Sequence, residues 1–168
     1  MSENIKRMQN IVGSFMEKSL KIPAYDGFSK AACIALFLAR EEAKRLHSPY
    51  VDEESILLGL ISEENGVASQ TLKAQGITLK NARTIVERLK GKGGGFKADV
   101  VPFSPRADRI LEQAQEEAKK MYQSPIDTEH LLLALIDKAG EGTTVQLLTQ
   151  MGVDCDMLRA TITGNFDE

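Results

Sequence analysis

Two histidines, two cysteines and several clusters of carboxylates are the side chains of this sequence with the most chemical capacity. A Ser/His/Asp or Cys/His set needs a nucleophile held beside its base, and no serine, threonine or cysteine here sits in an elbow or comparable context. His130 falls in the first turn of a helical stretch and His47 at the end of another, which are structural positions. Zinc takes three or four ligands, and these histidines and cysteines are scattered along the sequence, so no metal site is expected. Cys33 and Cys155 lie far apart without motif spacing and read as reduced thiols. Glu41, Glu42, Glu116 and Glu117 are expected on solvated helix faces. The glycine-rich run KGKGGGFKADVVP at 90–102 is no phosphate cradle. A P-loop continues into Lys and then Ser or Thr at the head of a helix and behind a strand, whereas Phe96 follows Gly95. Nothing implies a cofactor or an enzyme.

What remains is a pair of acidic helix starts. Residues 127–136 read DTEHLLLALI, and 75 positions earlier residues 52–61 read DEESILLGLI. Acidic and hydroxyl side chains suit the free N–H groups and the positive end of a helix. Each start runs into a stretch that is apolar on nearly every face, which predicts a helix buried inside a packed domain.

The elements that must position these starts repeat as well. Residues 28–47, 52–64, 67–75 and 79–89 carry helical patterns, punctuated by Ser48-Pro49-Tyr50, Asn65-Gly66 and Gly76. After the glycine-rich connector, Phe103-Ser104-Pro105 restates Phe28-Ser29-Lys30, with Pro105 where a first helical residue tolerates it. Between 28–61 and 103–136, 15 of 34 aligned positions are identical. One extra residue enters at 140–141; beyond it Gln70, Leu72, Gly76 and Arg83 match Gln146, Leu148, Gly152 and Arg159. Two four-helix units with one apolar plan predict an all-α pair of pseudo-twofold-related repeats. The expected organisation is an N-terminal amphipathic extension over 1–27, repeat one over 28–89, a linker over 90–102 and repeat two over 103–163. Ile5, Met8, Ile11, Val12, Phe15 and Met16 give the extension an apolar stripe, which either docks on the domain or serves as a handle for another protein.

Composition agrees with a globular protein: 42% hydrophobic, 27% charged, net charge −3. The charge argues against a nucleic-acid or anionic-membrane partner. No apolar run reaches the ~18–20 residues that span a bilayer, and the N-terminus lacks the pattern of a secretory signal.

The repeated plan resembles the Clp N-terminal domain, the double-repeat module at the front of ClpA- and ClpC-type AAA+ unfoldases. Phe28, Ala32, Glu41-Glu42-Ala43, Glu54, Leu57-Leu58-Gly59-Leu60, Leu72 and Gly76 carry the resemblance in repeat one. Phe103, Ala107, Glu116-Glu117-Ala118, Thr128-Glu129-His130, Leu132-Leu133-Ala134-Leu135, Leu148 and Gly152 carry it in repeat two. The linker end from Val101 to Ala107 is most similar to the ClpC branch. The resemblance implies a non-catalytic module that recruits substrates or adaptors to an ATPase ring feeding a ClpP-type protease, in the cytoplasm or, for a plant chain freed of its transit peptide, in the plastid stroma. No Walker motif occurs in the 168 residues. The resemblance therefore implies a stand-alone relative of the ClpT type or a fragment of an unfoldase, and the 27 residues ahead of Phe28 favour the former. A structural interaction module without a Clp partner is the competing reading. The resemblance further implies a phosphoarginine pocket in each repeat, with Glu54 and Glu129 as guanidinium partners and Thr128 beside the second. Asp52, Glu53 and Glu54 stand together at the first start, so an anionic ligand is expected to prefer the second.

Overall fold

The computed structural model describes residues 27–91, 100–137 and 142–164, together with Glu3 and Lys6. The amphipathic stretch expected over 1–22, most of the glycine-rich connector, the insertion at 140–141 and the residues after 164 lie outside the described residues. The described residues form eight helices, four in each repeat. They are α1 (Lys30–Arg45), α2 (Glu53–Glu63), α3 (Val67–Ala74), α4 (Leu79–Lys90), α5 (Pro105–Lys120), α6 (Thr128–Leu135), α7 (Thr143–Gln150) and α8 (Cys155–Thr163).

The helix starts follow the side chains that cap them. Ser29 and Ser104 accept from the N–H groups of Ala32 and Ala107, each at 3.0 Å, so α1 and α5 begin identically. Pro105 opens α5 at a position whose N–H has no helical partner. Thr78 and Asn81 form a capping box at α4. The first turn of α6 is closed by Asp127 and by His130, whose Nδ1 accepts from the Asp127 N–H at 2.8 Å. With Nδ1 accepting, Nε2 carries the proton and donates to Gln123 Oε1 at 2.7 Å, so this buried histidine is a structural residue.

The ends are less regular than the glycine signals predict. Gly76 takes a positive φ of 81° after α3, as a helix-ending glycine does. After α2, however, Glu64 makes the reversal at φ 72°, one residue ahead of the Asn65-Gly66 pair read as the stop. Gly66 is needed for a different reason: a Cβ there would lie 2.4 Å from Thr128 Oγ1 in the other repeat.

Helices α2 and α6 form the centre. Ile56, Leu57, Leu58 and Leu60 of α2 and Leu131, Leu132 and Leu133 of α6 are fully enclosed. They join residues from all eight helices in one continuous apolar cluster. The repeats are also stitched by exchanged backbone. Ser29 N–H donates to Ile126 O at 2.7 Å and Ile126 N–H to Gly27 O at 2.8 Å. The mirrored segments do the same: Val51 N–H donates to Pro102 O at 2.8 Å and Ser104 N–H to Val51 O at 3.0 Å. Each repeat thus feeds the start of its first helix against the start of the other repeat's second helix.

Candidate ligand-binding site

The exchange brings the two acidic starts into matched surroundings. Ser104 Oγ donates to Asp52 Oδ1 at 3.0 Å, and Ser29 Oγ donates to Asp127 Oδ1 at 2.6 Å. Each aspartate therefore caps its own helix and holds the cap of the other repeat's first helix. The next residue reaches further across. Glu53 Oε1 accepts from the Thr144 N–H at 2.8 Å, at the start of α7. Its counterpart Thr128 takes the Ala68 N–H at 3.3 Å, at the start of α3. Gly142 and Gly66 precede these starts, and a Cβ at either would crowd the visiting side chain.

The first start is crowded with partners. Glu53 is ion-paired to Arg106, and the Thr143 hydroxyl stands 2.6 Å from both Glu53 Oε1 and Glu54 Oε1, donating to one at a time. Lys90, at the end of α4, lies 2.9 Å from Glu54 Oε2 and 3.3 Å from Asp52 Oδ2. Burial pushes the Glu53 carboxyl up, but Thr143, Arg106 and the Thr144 N–H outweigh it and hold the carboxyl below the usual range. Asp52 is likewise lowered: burial opposes, and the Glu53 N–H, Lys90 and Ser104 prevail. Burial lowers Lys90, and Glu54 and Asp52 more than restore it, so its ammonium is held charged. Repeat one does not present three free negative charges, as the bare sequence suggests; two cations answer them.

The second start has the opposite character. Thr128 is fully buried and committed to α3. Glu129 is half-buried; its Oε2, like Glu54 Oε2, is enclosed without a hydrogen bond among the described residues, but no cation stands beside it as Lys90 does beside Glu54. The hydroxyl that Glu54 receives from Thr143 has no counterpart, because Val67 occupies the matching place at the head of α3. The end of α2 adds a further carboxylate, Glu63, which accepts from the Gly66 N–H at 2.6 Å. Burial pushes the Glu63 carboxyl up, the N–H groups of Gly66 and Asn65 pull it down, and the nearby Asp127 and Glu64 charges add to the rise. Among the described residues no ion pair answers Asp127, Glu129 or Glu63. Such a site leaves the half-buried Glu129 carboxylate unanswered by any cation among the described residues.

Both repeats match the Clp repeat (R) N-terminal domain, over residues 27–142 and 102–168. The chain belongs to the Clp repeat N-terminal domain family. It is 45% identical over 153 residues to an ATP-dependent Clp protease ATP-binding subunit ClpA homolog of Cyanidium caldarium, covering 91% of this chain and 18% of that protein. It is 44% identical over 138 residues to the chloroplastic chaperone protein ClpC of Pisum sativum, covering 82% of this chain and 15% of that protein. The chain thus spans less than a fifth of the curated relatives it matches. The N-terminal domain of the Clp-associated chaperone ClpD from Arabidopsis thaliana superimposes with a TM-score of 0.71 at 26% identity, over 85% of this chain and 99% of that one. The matched family is that of a Clp chaperone binding module, not of a catalytic domain.

Within this Clp repeat domain, the expectation that four glutamates stand on solvated faces holds for Glu41 and Glu116 only. Glu42 and Glu117 are buried. Glu42 is ion-paired to Arg83 and, at 2.9 Å, to Arg45; Glu117 is ion-paired to Arg159 at 3.4 Å. The pairs with Arg83 and Arg159 each tie the first helix of a repeat to its last. A carboxylate inside a protein persists only when a cation and hydrogen bonds replace its water. The matched positions of Arg83 and Arg159 were the available signal. Glu53 and its partner Arg106 were missed as a pair altogether, since neither position repeats: Thr128 and Ala31 stand in their places.

Proposed function

We propose that this Clp repeat domain is a non-enzymatic recognition module of a Clp AAA+ chaperone–protease system, and that it holds an arginine side chain of a substrate or adaptor at Glu129. The half-buried Glu129 carboxylate carries the reading: no ion pair answers it among the described residues, whereas Lys90 stands 2.9 Å from Glu54 Oε2. A guanidinium supplies paired N–H donors in the geometry a carboxylate accepts. The matching carboxylate of Glu54 is already met by Lys90 and Thr143, so an incoming guanidinium has to displace both. Asp127 and Glu63 share the α6 start, and their charge attracts a guanidinium and repels a phosphoryl group. Phosphoarginine, the form the family resemblance names, therefore engages Glu129 through its guanidinium and gains little from its phosphate here. The kinship with an ATP-binding subunit of a Clp protease and with a chloroplastic ClpC supports a Clp ring as the partner, in a cytoplasm or a plastid stroma. No helix among the described residues is long and apolar enough to cross a membrane.

Calorimetry with arginine-containing and phosphoarginine-containing peptides tests the site. Glu129→Ala is expected to remove binding, and Glu54→Ala to leave it within about threefold. Lys90→Met, which frees Glu54, is expected to add a second binding event. Binding that survives Glu129→Ala and vanishes in Glu54→Ala refutes the assignment. Co-purification of the tagged chain with a Clp ATPase or protease ring tests the partner, and a stable association with other proteins alone would favour the competing structural-module reading.

A further inference from the structure

A second concavity, with a volume of about 270 Å³, lies between α5 and α6 and borders the first acidic start at Glu53. Its floor is apolar, made by Ile110, Ala134 and Leu135, which are all buried. Its rim is polar: Arg106, Arg109, Gln113 and Asp137. The volume falls just below the ~300–1,000 Å³ of small-molecule sites, which suits one or two side chains of a polypeptide better than a cofactor.

The charges on the rim decide what those side chains are. Arg106 is committed to Glu53, which also lines the cleft. Gln113 Nε2 donates to Glu117 Oε1 at 3.3 Å. Asp137 has an interaction of its own. Arg109 is exposed and has no ion-pair partner among the described residues. One guanidinium therefore stands at the mouth of an apolar floor with its charge unanswered. Repeat one has nothing of this kind. Ala31, Ile34 and Leu38 occupy the places of Arg106, Arg109 and Gln113, so the polar rim belongs to repeat two alone.

We propose that the cleft binds an extended segment of a partner protein that presents an acidic side chain beside a branched aliphatic one. The carboxylate takes Arg109 bidentately, and the aliphatic group covers Ile110 and Ala134. An arginine over a small apolar pocket is the composition in which interface energy concentrates. The proposal deepens the recruitment reading and rests on it for the identity of the partner as a Clp substrate or adaptor.

The test uses the whole chain and a six-residue probe peptide, Gly-Ser-Leu-Asp-Ser-Gly, with its Leu-Asn counterpart as control, followed by methyl NMR. The Leu-Asp peptide is expected to shift the methyl signals of Ile110, Ala134 and Leu135. The Leu-Asn peptide should bind at least tenfold more weakly. Arg109→Glu should show the same loss, and Arg109→Lys a smaller one. Because Arg109 is exposed, both variants should keep the parent's unfolding midpoint, so a loss of binding reports on the cleft. No binding, shifts confined to other residues, or equal binding by Arg109→Glu overturns the proposal. Ring co-purification, measured separately, keeps the two readings apart: binding at the cleft without a Clp ring refutes the recruitment reading, and a Clp ring captured without binding at the cleft refutes this one.

Discussion

The two repeats share a plan and differ most at the contact between their first and second helices. In repeat one, Gly59 lies so close to α1 that a Cβ would sit 2.2 Å from the Ala35 carbonyl oxygen and 2.6 Å from the Ala39 nitrogen. Three small residues let the helix backbones meet. In repeat two the corresponding trio is Ala134, Ile110 and Ala114, bulkier at two of three positions, and the α5–α6 cleft opens there. The same asymmetry runs through the crossing contacts, where buried, ion-paired Glu53 reaches α7 and a neutral threonine reaches α3. Duplication supplied two equivalent scaffolds. The acidic start of repeat one is answered by Arg106 and Thr143 of repeat two and by Lys90, whereas in repeat two Glu129 and Arg109 have no ion-pair partner among the described residues.

The largest expected effect is at the helix contact. Gly59→Ala drives a methyl group into backbone, which cannot move aside as a side chain does, and should cost at least the ~1–3 kcal/mol of overpacking. Ala134→Gly inserts nothing into the cleft and should cost no more than the ~1 kcal/mol of helix propensity. Urea unfolding midpoints of the two variants measure the difference. Equal losses would show that the repeats pack alike and that the cleft has another origin.

A smaller effect is expected where the repeats cross. Glu53→Gln leaves Arg106 without its carboxylate and weakens the bond to Thr144, for about 1.5–3 kcal/mol, the range for hydrogen bonds to charged groups. Thr128→Val removes one neutral bond, for about 0.5–1.5 kcal/mol. The carboxylate's contribution also depends on pH. Because the folded state holds Glu53 below its ordinary range, that stability is complete above about pH 4.3 and is lost as pH falls through the lowered value. The parent and Glu53→Gln should therefore converge in acid. A gap that persists at low pH would mean that shape rather than charge makes the contact.

Glu63 offers the smallest effect and the opposite sign. Its carboxyl is raised in the folded chain, so the folded state keeps its proton longer than the unfolded chain does. Stability then falls as pH rises from about 4.3 through the raised value. Glu63→Gln can still accept from Gly66 and should flatten that slope, leaving the variant slightly more stable at neutral pH. Unfolding midpoints measured across pH 4–8 check this, and an unchanged slope would place the charge of Glu63 in solvent.

Local chemistry made much of the fold legible. The capping serines Ser29 and Ser104, Pro105, the helix-ending Gly76 and the all-round apolar runs of α2 and α6 each act within one turn of their own position. Residue types alone therefore announce them. The internal duplication announced the pairing of repeats, because the same apolar faces had to be covered twice. The charges could not be read that way. The partners of Glu53 lie 53, 90 and 91 positions away, and Lys90 lies 38 positions from the aspartate it answers. A run of three acids looks repulsive along the chain; only the packed helices bring Lys90 and Arg106 to it. Tertiary structure likewise buried Glu42 and Glu117, which share their Glu-Glu dipeptides with solvated neighbours and differ from them only in the face of the helix they occupy. Sequence periodicity specifies which helices form and which faces they bury. Whether a carboxylate on such a face meets water, a cation or nothing depends on distances of a few ångströms between remote segments, and these are fixed only when the chain is packed.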